Sequence, residues 1–426
     1  MSALSRLLAV GLLALVAATW KLWTPQDVFP QVPLIRAACD WPGWFDWVCL
    51  GVLVASAVTL LIAARRGWWG RGACIGLAVS LAGFFVLDQH RLQPWAWQFF
   101  LLAVLLSLAD DNTARRGWRW LVVGIYFWSA VSKLDYTFCH EQGPALLGGL
   151  KQALGLRGIP NRWTEALDIG GSFGLALAEM GVAVMLALPP ARWLGLWTAT
   201  IMHLSLLAAL GPFGLNHSLG VLLWNVFFIV QDWMLFSDAA PHLTSPDETA
   251  SPRVFDRLRN SLAWPAERNN RLALGGLIAV LLWPSLEPLG YCDHWLAWAV
   301  YSARSEHVIS ISFSEDFEIG PTTQLPQNSA RSIEALAMWS LKGLNVPVYP
   351  QARFQVGVVI AVLPRDDRDS PQLIHRLIVL DVPNRWAGSA PQEPRLYAAD
   401  TLASSYRWNA RPRLTTFAFP PKNPSP

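Results

Sequence analysis

"YFWSAVSKLDYTF" occupies residues 126–138. It begins as an apolar stretch of bilayer grade and then places Lys133 and Asp135 near its end. A charged side chain at the centre of a membrane span costs ~3 kcal/mol, and less toward its ends. Either this is a helix of a soluble protein, or it is a span whose charged end has a purpose. The rest of the chain decides between the two.

Of the 426 residues, 53% are hydrophobic and only 15% charged. About a quarter would be charged in a soluble domain, so the balance points to the bilayer. Many of the 24 tryptophans stand at the ends of apolar runs, among them Trp20, Trp44, Trp68 and Trp118. An indole has an apolar body and one donor, which suits the headgroup boundary. The net charge of +3 is too small to imply nucleic acid. Apolar runs fall at 4–22, 44–64, 72–88, 95–109, 118–133, 172–190, 192–211, 217–236 and 271–288, predicting about nine spans. The first, "MSALSRLLAVGLLALVAATW", also has the make-up of a secretory signal.

Charge orients these spans. The second connection carries Arg65, Arg66 and Arg71; the fourth Arg115, Arg116 and Arg119; the sixth Arg192. The eighth carries Arg253, Arg257, Arg259, Arg268 and Arg271. The third, "DQHRLQP", and the seventh, "GPFGLNH", hold one arginine between them. Basic connections stay cytoplasmic, which predicts a cytoplasmic amino terminus and an outer carboxyl-terminal tail in a cell (inner) membrane.

From about Leu289 the composition changes. "VISISF" (308–313), "FQVGVVIAVL" (354–363), "HRLIVLDV" (375–382) and "LTTFAF" (414–419) read as strands, and "ARSIEALAMWSLKGL" (330–344) has helical spacing. The expected fold is an all-α polytopic membrane bundle of about nine helices with a C-terminal extracytoplasmic α+β domain. Its parts are a bundle at 1–240, a cytoplasmic linker at 241–270 that includes the polar "HLTSPDETASPR" (242–253), a last span at 271–288 and the outer domain at 289–426.

On this topology the costly polar residues gather toward the outer side. Asp88, Gln89, His90 and Arg91 lie where the third span exits, and Lys133 and Asp135 where the fifth does. Glu179 in "GLALAEMGVAVML" lies about seven residues below the outer surface, His203 is past the midpoint of the seventh span, and Asn216 and His217 begin the eighth. Inward-facing groups that hydrogen-bond one another would offset the cost, with Lys133 and Glu179 as a natural pair and His203 within reach. Each has a plainer explanation too. Lys133 can snorkel to the headgroups, "DQHR" can be a polar turn capping two spans, and His203 can be a satisfied interior histidine. Glu179 is hardest to explain away, since a membrane carboxylate needs a partner.

Five cysteines are present. Cys49 and Cys74 fall in spans as packing residues, whereas Cys39, Cys139 and Cys292 map to the outer side, where a disulfide is open. No spacing supports a metal site, and nucleotide-loop and hydrolase-elbow motifs are missing.

With these residues in view, "YFWSAVSKLD" resembles a segment of the membrane core of vitamin K-dependent γ-carboxylases and their bacterial relatives, the horizontally transferred transmembrane (HTTM) group. "DQHRLQPWAWQFF" (88–100) and "MHLSLLAALGPFGLNHSLGVLLWN" (202–225) also resemble HTTM segments, so the likeness covers roughly residues 1–240. It implies Lys133 as the base that deprotonates a quinol; in an enzyme of that kind Asp88, His90, Glu179 and His203 would orient the lysine or relay protons, with Glu179 and His203 the other catalytic candidates. It further implies an outer reaction side, a following extramembrane domain and an extracytoplasmic protein or peptide partner besides the lipid bilayer. The carboxylase Asn-His pair has no counterpart in "QPWAWQF", which turns the expectation from glutamate carboxylation toward a quinol or other lipid-soluble substrate. "FGLALAEMGVAVMLAL" (173–188) is similar to the Glu-bearing span of DoxX- and MauE-type proteins, which are linked to thiol redox chemistry. The alternatives are a non-enzymatic membrane scaffold or partner-binding protein, in which the polar cluster only fixes helix packing, and a transporter.

Overall fold

A computed structural model describes residues 2–63, 67–156, 164–237, 265, 267–301, 307–314, 329–362, 373–380, 384–388 and 395–413. The strand expected at 414–419, the polar stretch 242–253 and Arg65, Arg66, Arg253, Arg257 and Arg259 lie outside the described residues. Among the described residues, ten α-helices precede the first strand: α1 Ser2–Ala18, α2 Trp44–Ala63, α3 Gly67–Leu87, α4 Pro94–Leu108, α5 Asp111–Lys133, α6 Gly143–Ala153, α7 Thr164–Ala187, α8 Arg192–Leu210, α9 Leu219–Phe236 and α10 Arg268–Leu282.

Among the described residues, six helical segments are long and apolar enough to cross a membrane: Trp44–Ala63, Gly67–Leu87, Ala166–Ala187, Pro189–Leu210, Leu219–Phe236 and Arg268–Leu289. The chain is therefore a helical membrane protein. The other three expected spans fall short for separate reasons. The apolar helices α1 and α4 have 17 and 15 residues, and at 1.5 Å per residue α4 reaches only about 22 Å, against ~30 Å of hydrocarbon. The 23-residue α5 is long enough but carries three arginines in its first half. It starts where the Asp110 carboxylate accepts from the Thr113 amide at 2.7 Å, an N-cap, and ends on Lys133, whose charge complements the helix C-terminus.

Packing divides the chain into two compact units. The first comprises 1–15, 54–78 and 94–303, the second 16–53, 79–93 and 304–426. In the first unit α5 packs on α7 and α9, α8 lies against α7 and α9, and α10 lies along α4 and α5. The short α6 sits against α7 and α8. A Cβ at Gly149 of α6 would stand 2.7 Å from both the Ala209 carbonyl and Leu215, so glycine permits that close approach.

The second unit holds a three-stranded antiparallel sheet ordered β1-β2-β3, with β1 His307–Ser314, β2 Leu373–Leu380 and β3 Arg395–Tyr397. Among the described residues three α-helices accompany it: α11 Ser329–Leu344, α12 Ala352–Val362 and α13 Ala399–Ser405. Helix α12 corrects the strand expected at 354–363. Its residues from Ala352 to Val358 are all buried, and a run buried on every side carries neither a period of two nor of 3.6, so β-branched composition misleads. Instead of pairing in the sheet, α12 packs on β1. Its Gln355 side chain accepts from the edge amide of Val308 at 2.9 Å. The core of this unit is built on Val308, Val356, Leu377, Val379 and Leu402.

Candidate functional site

The first unit contains a cavity of about 280 Å³ between α5, α6, α7, α8 and α9, lined mostly by apolar side chains. Its polar lining comes chiefly from four helices. Tyr126, Ser129 and Lys133 stand on α5 at i, i+3 and i+7, which is one helical face. Glu179 comes from α7, His203 from α8 and Asn225 from α9. Phe138, Leu146 and Leu206 line it as well and belong to a packed apolar cluster.

Two hydrogen-bonded groups meet there. Lys133 Nζ donates to Glu179 Oε2 at 2.6 Å and to Ser129 Oγ at 2.6 Å. The two charged side chains are 8% and 12% exposed, so they are enclosed yet reachable. In the other group, Tyr126 Oη lies 2.7 Å from His203 Nε2 and 2.5 Å from Asp232 Oδ2. His203 Nδ1 lies 2.8 Å from Asn225 Oδ1, and the Asn225 amide donates to the Val221 carbonyl. That last bond makes the Asn225 oxygen an acceptor and puts a proton on His203 Nδ1. Tyr126 has one proton and two neighbours that can accept it. The chain Asp232–Tyr126–His203–Asn225 can therefore be ordered in two senses, which differ by a shift of protons between the carboxyl and the imidazole.

Tyr301 completes the lining. It and Trp298 hold φ near +60°, a conformation costly for bulky residues, which recurs where function demands it. Asn225 is near enough to influence the phenol, but the Tyr301 hydroxyl is buried with no hydrogen-bond partner among the described residues. Burial, aided by the charge of Glu179, pushes the phenol above its ordinary value and keeps it a donor. A buried donor without an acceptor is what a ligand oxygen would satisfy.

The structure thus brings together Lys133, Glu179 and His203 among the residues expected from sequence. The others lie elsewhere. Asp135 is buried and its carboxylate accepts from the Phe138 amide at 2.6 Å, fixing the turn after α5. Asn216 is an exposed turn residue at φ +50°, a conformation asparagine tolerates.

Asp88, Gln89, His90 and Arg91 are fully buried inside the second unit. Asp88 caps its own turn by accepting from the His90 amide, and also accepts from the Val32 amide. Gln89 donates to the Pro33 and Asn409 carbonyls and accepts from Arg353. His90 Nε2 lies 3.0 Å from the Pro347 carbonyl and 3.1 Å from Ser340 Oγ. Arg91 pairs with Asp46 at 2.5 Å, and Asp46 also binds Arg413 at 2.7 Å.

Tyr126, Ser129, Asn225, Asp232 and Tyr301 were not expected. Tyr126 and Ser129 share the α5 face with Lys133 and could have been found by spacing. Asp232, a carboxylate inside "FFIVQDWMLF" (227–236), carried the same signal as Glu179. Tyr301 carried none. All five cysteines are free thiols, including Cys39, Cys139 and Cys292. Among the described residues no group of three His, Cys, Asp or Glu is placed to hold a metal ion. The chain matches no family model, no curated protein and no solved structure.

Proposed function

We propose that the cavity takes the head of a lipid-soluble hydroxylic substrate, such as a quinol, and that Lys133 and Glu179 together handle its proton. One observation carries the reading: a buried Lys–Glu pair, steadied by Ser129, borders a mostly apolar cavity that also exposes a tyrosine donor without a partner. Ligand pockets start at roughly 300 Å³, so about 280 Å³ suits a single ring with its tail outside. Lys133, Tyr301 and His203 are the groups that would hold the ring oxygens. A quinol, once bound, supplies an acidic hydroxyl and two electrons. On the protein side, Ser129 and Glu179 hold the lysine nitrogen in place, and a proton passed from Lys133 to Glu179 leaves a neutral amine as the base. The HTTM resemblance assigns Lys133 the same part.

The wider arrangement proposed is nine crossings, α1 to α5 and α7 to α10, in a cell (inner) membrane with the basic connections inside. Support comes from the composition of the second unit. Its hydrogen bonds join the first connection, the third connection and the tail: Gln89 to Pro33 and Asn409, and Arg413 to Gln31, Trp41 and Asp46. These segments share one side of the membrane only if an even number of crossings separates them. The nine-span count gives two and six; the six segments long enough to cross give two and four, so these bonds support the shared side, while the count of nine rests on the apolar runs of the sequence.

The test is an assay of the purified protein in lipid for quinol oxidation and for peptide carboxylation, with Lys133→Ala and Glu179→Gln beside the wild type. Loss of turnover in both variants is expected, at unchanged folding by circular dichroism. Turnover equal to wild type in Lys133→Ala would remove the lysine from any mechanism.

A further inference from the structure

Proton transfer between Lys133 and Glu179 leaves Asp232 without a part. This carboxyl is 1% exposed in the membrane-grade helix α9, and its Oδ1 has no hydrogen-bond partner among the described residues. Its Oδ2 is tied to Tyr126 Oη, and through it to His203 Nε2. The two orders of this chain are complete alternatives. In the first, Asp232 carries a proton and donates to Tyr126, which donates to a neutral His203. In the second, Tyr126 donates to the Asp232 carboxylate. His203 Nε2 must then carry a proton too, or two lone pairs would meet at 2.7 Å. The same three protons are present in both orders. What changes is charge: none in the first, an imidazolium and a carboxylate in the second.

Each order suits a different content of the cavity. A carboxylate with one bare oxygen inside a hydrocarbon-grade span is costly, which favours the neutral order beside a neutral ligand. A negative charge in the cavity reverses the preference. Tyr126 and His203 are among the lining residues and Asp232 is not, so the second order brings a cation to the wall and sets the anion behind it. Both His203 nitrogens are committed, to Tyr126 and Asn225, so charge is what the imidazole offers a ligand. Phe228 stacks on it at 5.0 Å and 18°, and an aromatic face favours a cation. Lys133 lies seven residues along α5 from Tyr126, a rise of about 10 Å, so the two cations would stand some two helical turns apart along the cavity.

We propose that the cavity binds its hydroxylic ligand as the oxyanion, and that Asp232, acting through Tyr126, charges His203 to hold it. The ligand's class comes from the Lys133–Glu179 reading, on which this step rests. The protons balance. Lys133 gives one to Glu179 and takes the ligand's O–H proton, while Tyr126 gives its Oη proton to His203 Nε2 and takes that of Asp232 Oδ2. No proton enters or leaves. Asp232 is thus a positioning residue, one bond removed from the groups that line the cavity.

The probe is para-nitrophenol, whose coloured phenolate reports by absorbance which form the purified full chain binds in neutral detergent. Wild type should hold it as phenolate at pH values where the free probe is mostly phenol. An opposite charge nearby favours ionisation by about tenfold or more. The bound phenolate-to-phenol ratio should therefore fall about tenfold in Asp232→Asn, whose amide can bond Tyr126 but passes no proton. Asp232→Glu, which restores a carboxyl, should recover part of the ratio. Infrared difference spectra of wild type carrying isotope-labelled aspartate need no variant: the band of a protonated aspartic acid should vanish as the probe binds. A ratio in Asp232→Asn equal to wild type, or a protonated band that survives binding of the phenolate, overturns the proposal. A probe bound only as phenol, or not bound, overturns it too. Phenolate bound with that band lost, by a protein that turns over no quinol, would instead remove the chemistry proposed for Lys133 and keep the relay.

Discussion

Each unit buries a cluster of charge, and the two clusters are made differently. In the second unit Asp46 is gripped by Arg91 on one oxygen and Arg413 on the other, all three side chains fully buried. Both guanidinium groups also donate to backbone carbonyls, those of Leu22, Thr24, Trp41 and Pro42. In the first unit the participants are Lys133, Glu179, Tyr126, His203 and Asp232, and most of their partners are side chains. Arginine does not titrate in proteins, whereas lysine, histidine and the carboxyls do. The first cluster is an anchor with fixed protons. The second is a set of exchangeable protons beside a cavity. Where the cation is arginine and the acceptors are backbone, burial fixes every proton in place; where it is lysine and the acceptors titrate, burial leaves the protons that the proposed chemistry would use.

Removing one partner from each cluster breaks this comparison most directly. Asp46→Ala leaves two arginines buried without their carboxylate and should cost about 3–5 kcal/mol of stability, the penalty for an orphaned buried charge. Unfolding in detergent, followed by tryptophan fluorescence, measures it. A loss below 1 kcal/mol would mean that the carbonyls alone hold the arginines, and the anchor would lie elsewhere.

Next in size is Tyr126→Phe. It deletes one hydroxyl and leaves both Asp232 Oδ2 and His203 Nε2 without their shared partner. Each unsatisfied buried group costs about 1–3 kcal/mol. The double variant Tyr126→Phe/His203→Leu strands Asp232 Oδ2 and Asn225 Oδ1 in their place, no more atoms than the single variant, so its loss should be smaller than the sum of the two single losses. Strict additivity of the two substitutions would show that the tyrosine and histidine are not coupled.

How much of this was legible beforehand follows from the same contrast. The spans were visible because hydrocarbon demands long uncharged runs, and α2, α3, α7, α8 and α9 fall where the apolar stretches do. Glu179 and Lys133 were visible because charge inside such runs is expensive. The partner of "DQHR" was not visible. Gln89 bonds across 320 residues to Asn409, and Asp46 across 367 to Arg413; a polar residue announces that it needs a partner without saying where. Helix α12 was misread because a wholly buried segment has no polar face to betray its period. Tyr126 escaped notice because a tyrosine in an apolar run looks like one more aromatic.

The smallest expected effect tests whether the second unit's titrating groups are also structural. Burial raises Asp88 from 3.8 to about 6, with Arg91 and two backbone amides opposing the rise, and burial lowers His90 from 6.5 to about 4. The signs are opposite. A carboxyl raised on folding adds most stability below its unfolded value, and that contribution fades as pH rises through 6. A histidine lowered on folding is favourable above 6.5 and loses ground as pH falls toward 4. Over pH 7 to 5 the two contributions therefore nearly cancel, and the wild type should lose only about 0.5 kcal/mol. Asp88→Asn removes one side of the balance, and the same titration should then cost about 2 kcal/mol, the histidine's share alone. The measurement is the denaturation midpoint at pH 7, 6 and 5 in both proteins. If the variant's slope matches that of the wild type, His90 binds its proton as readily in the folded chain as in the unfolded one. The second unit would then hold an exchangeable proton of its own beside the buried triad, and the contrast with the first unit would blur.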